Sequence, residues 1–175
     1  MAGVSQLVAA SVRDVPDFPH AGVMFKDITP VLADATVFRR VISYMTDQIE
    51  ASGATLVVGI EARGFVLGAP VAVQAGLGFV PMRKPGKLPG ATLSQAYDLE
   101  YGQAALEMQQ DAIPSGSKVA VVDDVLATGG TAAAACQLIE RVGAQMCGLH
   151  FLIELEALAG RKLLPGRQID SILLV

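Results

Sequence analysis

Short apolar runs of strand length alternate with stretches of helical periodicity along this chain. Residues 55–60 are rich in β-branched side chains and apolar on both faces, which is typical of a strand covered on both sides. Similar runs predict strands at 78–82, 118–122, 148–155 and 169–175. Strands that alternate with helices predict an α/β fold, in which helices flank a central, mainly parallel sheet.

Three stretches of helical periodicity lie between or before the predicted strands. Asp34 is a suitable N-cap for the first helix, whose apolar positions recur every four residues over 37–49. The second helix is predicted at 65–77. The third begins near Gly130 and stops at Gly143, because glycine commonly follows the last turn of a helix.

One apolar stretch, residues 64–82, approaches the length of a membrane-spanning helix and contains Gln74 as its clearly polar residue. Prolines and glycines interrupt this stretch. A buried helix followed by a strand therefore explains it better than a membrane span, and we expect no association with a membrane.

Residues 83–103 contain three glycines, two prolines and few apolar side chains, without a clear helix or strand pattern. A connection of this length is uncommon in a compact domain unless it serves as a functional loop. Arg83, Lys84 and Lys87 place three cations at its start. Such a run is most often a solvated charged face, but it would also suit a lid that brings positive charge to an anionic ligand.

Composition limits the class of protein. The 175 residues are 52% hydrophobic and 17% charged, which excludes a globally disordered chain and suits a single domain over residues 1–175. The net charge is −4, so we expect no broad basic face and no nucleic-acid partner. Two cysteines without a metal-binding or disulfide pattern, and an N-terminus without the features of a signal peptide, favour a reducing, cytoplasmic location.

The most informative segment is VVDDVLATGGT, residues 121–131. A predicted strand ends in Asp123 and Asp124, and a loop of small residues then leads into the helix near Gly130. Glycines and threonines in this loop, together with the positive end of the helix dipole, are suited to one terminal phosphate. The carboxylates would repel that phosphate, so we expect them to face sugar hydroxyls or a metal ion. The pattern predicts a site for a ribose 5-phosphate; the alternative is a capped helix preceded by solvated acids.

This segment resembles the phosphoribosyl pyrophosphate signature of the purine phosphoribosyltransferase family. Four other regions resemble motifs of the adenine branch of that family, in the family's order: VPDFP at 15–19 with GVMFKDITP at 22–30, GIEARGF at 59–65, RKPGKLPG at 83–90 and YDLEYG at 97–102. The resemblance covers nearly the whole chain. It implies a phosphoribosyltransferase-type fold with a small hood, to which residues 1–33 contribute, and a mobile active-site loop at 83–103.

The resemblance also implies an activity and a set of residue roles. Members of the adenine branch transfer the 5-phosphoribosyl group from phosphoribosyl pyrophosphate to adenine, giving AMP and pyrophosphate. Glu100 and Arg63 are implied to be catalytic, and Glu100 would exchange a proton with the purine. The implied binding residues are Asp123, Asp124, Ala127, Thr128, Gly129, Gly130 and Thr131 for ribose and phosphate, Arg63, Arg83, Lys84 and Lys87 for pyrophosphate, and Met24, Phe25 and Lys26 for adenine.

Other interpretations of single residues stay open at this point. Arg63 is a planar fork of donors suited to a diphosphate, but a surface arginine paired with Glu61 would have the same sequence context. Glu100 could be an ordinary solvated carboxylate, and residues 23–27 could form a hydrophobic staple before a helix. Many relatives carry arginine where this chain has Lys26, and lysine cannot offer two parallel donors.

The resemblance further implies Mg²⁺ as cofactor and a homodimer as the assembly. The metal would be bound mainly through substrate oxygens near Asp123 and Asp124, without a dedicated set of side-chain ligands. Two other functions stay open: transfer to xanthine or hypoxanthine, and a regulator that senses phosphoribosyl pyrophosphate without catalysis. The retained segment 97–102 and the acidic charge favour an enzyme over a regulator.

Overall fold

The computed structural model describes residues 3–98 and 102–175. Helices and strands alternate along the described chain, which ends with two 3₁₀ turns before the last strand. In order, the elements are α1 (Val4–Ser11), β1 (Arg13–Pro16), β2 (Met24–Asp27), α2 (Thr29–Ala33), α3 (Ala35–Ala51), β3 (Leu56–Ile60), α4 (Arg63–Ala75), β4 (Gly78–Met82), β5 (Thr92–Asp98), β6 (Gln103–Gln109), β7 (Lys118–Leu126), α5 (Gly130–Arg141), β8 (Gln145–Glu154), the turns Glu156–Leu158 and Gly160–Leu163, and β9 (Ile169–Leu174).

A five-stranded sheet forms the centre of the molecule, in the order β4-β3-β7-β8-β9, and every neighbouring pair is parallel. Buried clusters cover both of its faces. One cluster packs α5 and β6 against the sheet through residues such as Leu138, Phe151 and Leu106. The other packs α1 to α4 against the opposite face. The predicted α/β class with a central, mainly parallel sheet is therefore confirmed.

Helix α3 follows the predicted pattern closely. Oδ1 of Asp34 accepts hydrogen bonds from the N–H groups of Thr36 (2.8 Å) and Val37 (3.1 Å), and so caps the first turn. The apolar positions that recur every four residues are all buried against the sheet: Val37, Val41, Met45 and Ile49.

The apolar stretch 64–82 consists of most of α4 followed by β4, as the sequence indicates. Helix α4 begins at Arg63, two residues before the predicted start, and Gly76 ends it with a φ of 68°. Within the part of the chain that the structure describes, no helix is both long enough and apolar enough to cross a membrane.

The expectation that 83–103 lacks regular structure is wrong for its second half. β5 pairs with β6 in an antiparallel hairpin, in the register Thr92↔Gln109 to Asp98↔Gln103. Side chains of β5 alternate between half-buried and exposed, and few of them are large and apolar, so the strand gives a weak sequence signal. The hairpin (β5–β6) is joined to the end of β4 by two backbone hydrogen bonds between Arg83 and Glu107.

A second difference concerns β7, which extends to Leu126 and does not end before the two aspartates. The pairing with β8 continues through Asp123↔Phe151 to Leu126↔Glu154, so Asp123 and Asp124 are strand residues. In the N-terminal region the structure adds α1, α2 and the antiparallel pair β1–β2, none of which the periodicity indicated.

Candidate active site

A cavity of about 530 Å³ opens at the carboxyl edge of the central sheet, where ligands bind in open α/β folds. The ends of β3, β7 and β8 form its floor, the β1–β2 hairpin forms one side, and Lys84 and Tyr97 lie on another. The lining residues are Val23, Met24, Phe25, Lys26, Ile60, Glu61, Ala62, Arg63, Lys84, Tyr97, Leu106, Asp123, Asp124, Val125, Ala127, Thr131 and Leu155.

The two aspartates of β7 lie on the cavity floor. Asp124 is buried, whereas Asp123 is only partly covered and accepts a hydrogen bond on Oδ1 from the Asp124 N–H, at 2.8 Å. Helix α4 approaches this strand so closely that a Cβ on Gly64 would lie 2.9 Å from Asp123 Oδ1 and 2.8 Å from the Val122 carbonyl oxygen. Glycine at position 64 therefore allows the start of α4 to pack beside the two acids.

Although Asp123 is partly accessible, the protein atoms packed around its carboxyl displace water and raise its pKa well above the ordinary value, and the neighbouring Asp124 charge raises it further. The nearby guanidinium of Arg63 lowers this pKa by a smaller amount. Placing two carboxylates side by side in a cavity is unfavourable without a positive partner. The arrangement is therefore suited to hydroxyl groups or a cation from a ligand.

The segment 127–131 connects β7 to α5 and lines a smaller cavity of about 60 Å³. Gly129 has a φ of 88°, in the left-handed region that favours glycine, and it is the N-cap of α5. The first backbone N–H groups of α5 have no partners within the helix, so they can donate to an anion at this end. The geometry is that of a loop able to hold one phosphate.

Gly160 packs directly against the backbone of this loop. A Cβ on Gly160 would lie 2.3 Å from the Ala127 carbonyl oxygen, and one on Gly129 would lie 2.4 Å from the Gly160 carbonyl oxygen. Two backbones thus approach each other without side chains between them. Next to Gly160, both guanidinium contacts of Arg161 to the Glu154 carboxylate measure 2.7 Å, which anchors the 3₁₀ turn to the end of β8.

Arg63 bridges the two sides of the cavity. Its Nε lies 2.6 Å from Oδ2 of Asp124, although the N–H does not point at that oxygen, so the contact is an ion pair without a formed hydrogen bond. Its guanidinium carbon lies 5.3 Å from the centre of the Phe25 ring, within cation–π range. The alternative that Arg63 pairs with Glu61 is therefore not observed.

Glu61, just before the cis peptide bond Glu61–Ala62, contacts the basic run instead. Its carboxylate accepts hydrogen bonds from Arg83 Nε at 2.7 Å and from Lys87 Nζ at 3.2 Å. Lys84, between these two residues in the chain, lies on the cavity wall. Of the four cations expected to bind pyrophosphate, Arg63 and Lys84 line the cavity, whereas Arg83 and Lys87 are held by Glu61.

The β1–β2 hairpin brings the three expected adenine-binding residues to one side of the cavity. Phe25 contacts Phe18 edge-on, with ring centres 5.0 Å apart, and Met24 is half exposed. Lys26 lies on the wall, but its Nζ is 2.7 Å from Asp14 Oδ1 on the paired strand. An apolar, aromatic surface beside a polar floor is suited to a flat heterocyclic base.

Glu100, the expected proton-exchanging residue, lies outside the described residues. The structure also adds cavity residues to which the sequence analysis gave no role: Leu155 and Leu106, which lie outside the motifs, and Ile60, which lies within the motif 59–65. Leu155 directly follows β8 and Ile60 ends β3, so the carboxyl-edge rule that pointed to the aspartates would have found both. Leu106 belongs to the unpredicted strand β6.

Among residues 3–98 and 102–175, no three side chains of His, Cys, Asp or Glu cluster in a way that could hold a metal ion. The two carboxylates at the cavity can supply only part of the coordination shell of a metal ion. Oδ2 of Asp124 is buried and accepts no hydrogen bond, but Arg63 Nε lies 2.6 Å from it, so a magnesium ion at this oxygen would require Arg63 to move away. Carboxylate oxygens are ligands that Mg²⁺ prefers. Asp123 and Asp124 therefore fit a magnesium ion whose other ligands come from substrate and water.

Comparison with known proteins shows the family to which this chain belongs. The family model described as phosphoribosyl transferase domain matches residues 30–167. The adenine phosphoribosyltransferase of Streptomyces galbus is 55% identical over 179 residues, which cover 100% of this chain and 98% of the relative. That of Desulfitobacterium hafniense is 52% identical over 162 residues, which cover 93% of this chain and 94% of the relative.

Solved structures agree with this assignment. The adenine phosphoribosyltransferase of Thermoanaerobacter pseudethanolicus superposes with a TM-score of 0.95 at 47% identity, covering 98% of this chain and 99% of the other. The enzyme of Saccharomyces cerevisiae, crystallised with an imino-altritol bisphosphate and adenine, gives 0.91 at 37% identity, covering 97% and 98%. This chain therefore belongs to the phosphoribosyltransferase family and, within it, to the adenine phosphoribosyltransferases.

Proposed function

We propose that this chain transfers the 5-phosphoribosyl group of phosphoribosyl pyrophosphate to adenine, giving AMP and pyrophosphate, as in purine salvage. The observation that carries the proposal is that three kinds of surface meet at the carboxyl edge of the sheet, around two cavities that share Asp123, Ala127 and Thr131. A phosphate-sized loop (127–131), a pair of carboxylates and an aromatic hairpin lie side by side there. A nucleoside monophosphate presents a phosphate, a diol and a flat base in the same order.

Binding of the 5′-phosphate would use the 127–131 loop, and binding of the ribose diol would use Asp123 and Asp124. The phosphate is remote from the bond that breaks. Interactions with it therefore hold the sugar in place and orient its anomeric carbon for attack. This division of roles accounts for acids and an anion-binding loop lying next to each other on β7 and α5.

In the reaction, N9 of adenine forms a bond to the anomeric carbon as the bond to the pyrophosphate oxygen breaks. The electron pair of that bond leaves with pyrophosphate, and the proton of N9 must pass to a base. Arg63 and Lys84, which line the cavity, would stabilise the charge that develops on the leaving group. Arg83 and Lys87, which Glu61 holds, would add to the positive field at this end of the cavity. Mg²⁺, held near Asp123 and Asp124, would supply Lewis-acid stabilisation of the same oxygens.

Glu100 is proposed as the group that exchanges the proton with the purine. Lid closure over the substrates would exclude water from its carboxyl and so raise its pKa by desolvation. Replacement by glutamine should lower kcat much more than it weakens phosphoribosyl pyrophosphate binding. Equal losses in kcat and in binding would remove this role from Glu100.

Phe25 would stack on the base, and backbone groups near Met24 would recognise the exocyclic amine. The Arg63 guanidinium covers the Phe25 ring at 5.3 Å, so a base stacked on that face requires Arg63 to move toward the diphosphate. Adenine is proposed over 6-oxopurines because the relatives named above are adenine phosphoribosyltransferases.

The test is one incubation of the protein with Mg²⁺, phosphoribosyl pyrophosphate and an equimolar mixture of adenine, hypoxanthine, guanine and xanthine, with the nucleotides identified by mass spectrometry. AMP and pyrophosphate should form in equal amounts and depend on the metal. IMP, GMP or XMP without AMP would replace the proposed base. No nucleotide of any kind would contradict the enzymatic function.

We also keep a homodimer and a cytoplasmic location as parts of the proposal. Helix α4 exposes Val66 and Val73, which are seven residues apart and so share one face of the helix, and the strand that follows it, β4, is an edge strand of the sheet. Such a face is suited to a second copy of the chain. Cys136 and Cys147 are both free thiols, which agrees with a reducing compartment.

A further inference from the structure

Glu61 lies on the cavity wall, although nothing in the proposed reaction uses its carboxylate. The side chain is only 6% exposed. Its backbone N–H donates to the Met82 carbonyl oxygen at 3.0 Å, so the residue is fixed between the ends of β3 and β4. A buried negative charge beside the proposed pyrophosphate site would repel that anion, unless the charge serves another purpose there.

The carboxylate of Glu61 binds both ends of the short basic segment 83–87. Oε2 accepts from Arg83 Nε at 2.7 Å, and Oε1 accepts from Lys87 Nζ at 3.2 Å. Arg83 Nη1 also donates to the Lys87 carbonyl oxygen at 3.2 Å, which closes the segment on itself. Each carboxylate oxygen therefore holds one of the two flanking cations.

Glu61 is ionised at neutral pH in this arrangement. Burial alone would raise the pKa of its carboxyl, but the hydrogen bonds from Arg83 and Lys87 outweigh that effect and hold the pKa below its ordinary value. The contacts are accordingly charge-assisted, which makes them stronger than neutral hydrogen bonds.

Lys84 lies in the chain between the two residues that Glu61 holds. Lys84 is on the wall of the cavity that Ala62 and Arg63, at the start of α4, also line. Three cations within five residues repel one another, and without a counter-charge each would be better solvated outside the cavity. Fixing the outer two cations leaves the central one facing the site.

We propose that Glu61 is a positioning residue, whose carboxylate fixes Arg83 and Lys87 and thereby holds Lys84 at the pyrophosphate end of the cavity. The inference rests on the proposed function, since it assigns the source of a preorganised charge at that same site. Preorganisation of the segment means that pyrophosphate binding does not have to order it. Glu61 acts through other side chains and is not itself catalytic.

The test compares Glu61→Gln with the wild-type chain by steady-state kinetics and by titration calorimetry with pyrophosphate and Mg²⁺. We expect about a tenfold rise in KM for phosphoribosyl pyrophosphate and in the Kd of pyrophosphate, with KM for adenine unchanged. Tighter pyrophosphate binding would overturn the proposal, because it would mean that Glu61 competes with the anion. Unchanged binding would overturn it as well.

Limited digestion with trypsin gives a readout that does not depend on activity. The bonds after Arg83 and Lys87 are cleavable, and the bond after Lys84 is protected by Pro85. Release of the segment in Glu61→Gln should speed cleavage at both sites several-fold. The matched control is Glu140→Gln on α5, which removes the carboxylate that pairs with Arg167. This variant should leave cleavage after Arg83 and Lys87 unchanged.

Two further variants separate positioning from simple loss of structure. Glu61→Asp keeps the charge on a shorter side chain and should recover part of the lost pyrophosphate affinity. Lys87→Met should cost less affinity in the Glu61→Gln background than in the wild type, because the two residues act together. Full additivity would contradict the proposal. AMP formation by the wild type tests the proposed function separately, so failure of the inference leaves that result intact.

Discussion

Asp123 and Asp124 are adjacent in sequence but have different surroundings. Asp124 has Arg63 as a positive partner at 2.6 Å, whereas burial and the Asp124 charge raise the pKa of Asp123. A carboxyl whose pKa is higher in the folded state than in the unfolded state, where it is about 3.9, contributes its full stabilisation at pH values below the unfolded pKa. That contribution is lost as the pH rises through the raised folded pKa. The free protein therefore has a binding site that destabilises it at neutral and alkaline pH.

Replacing Asp123 with asparagine should stabilise the free protein at pH 8 and have little effect at pH 4, because the amide cannot ionise. We expect Tm to rise at pH 8 by about 2–4 °C, the change that roughly 1 kcal/mol produces in a chain of this length. Thermal unfolding at pH 4, 6 and 8 measures this. Asp124→Asn is the comparison, and it should stabilise less than Asp123→Asn, because the relief of Asp123 is offset by the loss of the carboxylate partner of Arg63. A Tm of Asp123→Asn at or below wild type at pH 8 would contradict the expectation.

The sequence motifs indicated the two aspartates but not Gly160, which lies outside them. A methyl group there would lie 2.3 Å from the Ala127 carbonyl oxygen and 3.0 Å from Leu126 Cδ1, so the phosphate loop would have to move. Gly160→Ala should raise KM for phosphoribosyl pyrophosphate at least tenfold and lower stability by about 1–3 kcal/mol. Kinetics and urea unfolding test both parts. Gly3→Ala, at a glycine with open space around it, is the matched control and should match the wild type.

At the level of elements, the β1–β2 hairpin carries the proposed base-binding surface and depends on a cross-strand ion pair. Lys26 and Asp14 are directly opposite in the register, with Nζ and Oδ1 2.7 Å apart. Lys26→Met should therefore loosen the hairpin by less than about 1 kcal/mol and raise KM for adenine a few-fold. The ratio of kcat/KM for adenine over hypoxanthine should stay constant. A changed ratio would show that the ammonium group recognises the base itself.

The elements also show what a sequence can predict and why the rest needs the fold. The core strands and α3 were predictable, because burial on one or both faces imposes a clear apolar period. β5 and β6 were not, since half-exposed hairpin strands need few large apolar residues. The 127–131 loop was predictable because contiguous small residues with two glycines before a helix indicate a turn. Local sequence could not reveal the ion pairs of the site, because the order of the strands brings their partners together from distant parts of the chain. These pairs are Arg63 with Asp124, and Glu61 with Arg83 and Lys87.

At the scale of the whole molecule, the distribution of exposed apolar side chains bears on assembly. Val73 is 81% exposed and Val66 43% exposed on α4, and β4 is an edge strand of the sheet. Helix α4 begins at the cavity with Arg63, and Val73 lies ten residues further along the helix, about 15 Å away. Self-association on this face would bury both valines.

Val73→Asp is the change that tests this arrangement, because a side chain so exposed contributes little to the fold of one copy. The protein should elute at twice 18.2 kDa in light-scattering chromatography, and the variant should dissociate with a Kd at least tenfold higher. Losing the burial of one valine costs about 1.5–3 kcal/mol, and each 1.4 kcal/mol is tenfold in affinity. Leu163→Asp likewise replaces an exposed apolar side chain with aspartate, at a position that follows β8. This variant should leave the mass of the assembly unchanged. If Leu163→Asp dissociates the assembly and Val73→Asp does not, then the copies meet on the opposite side of the sheet, and α4 is exposed for another reason.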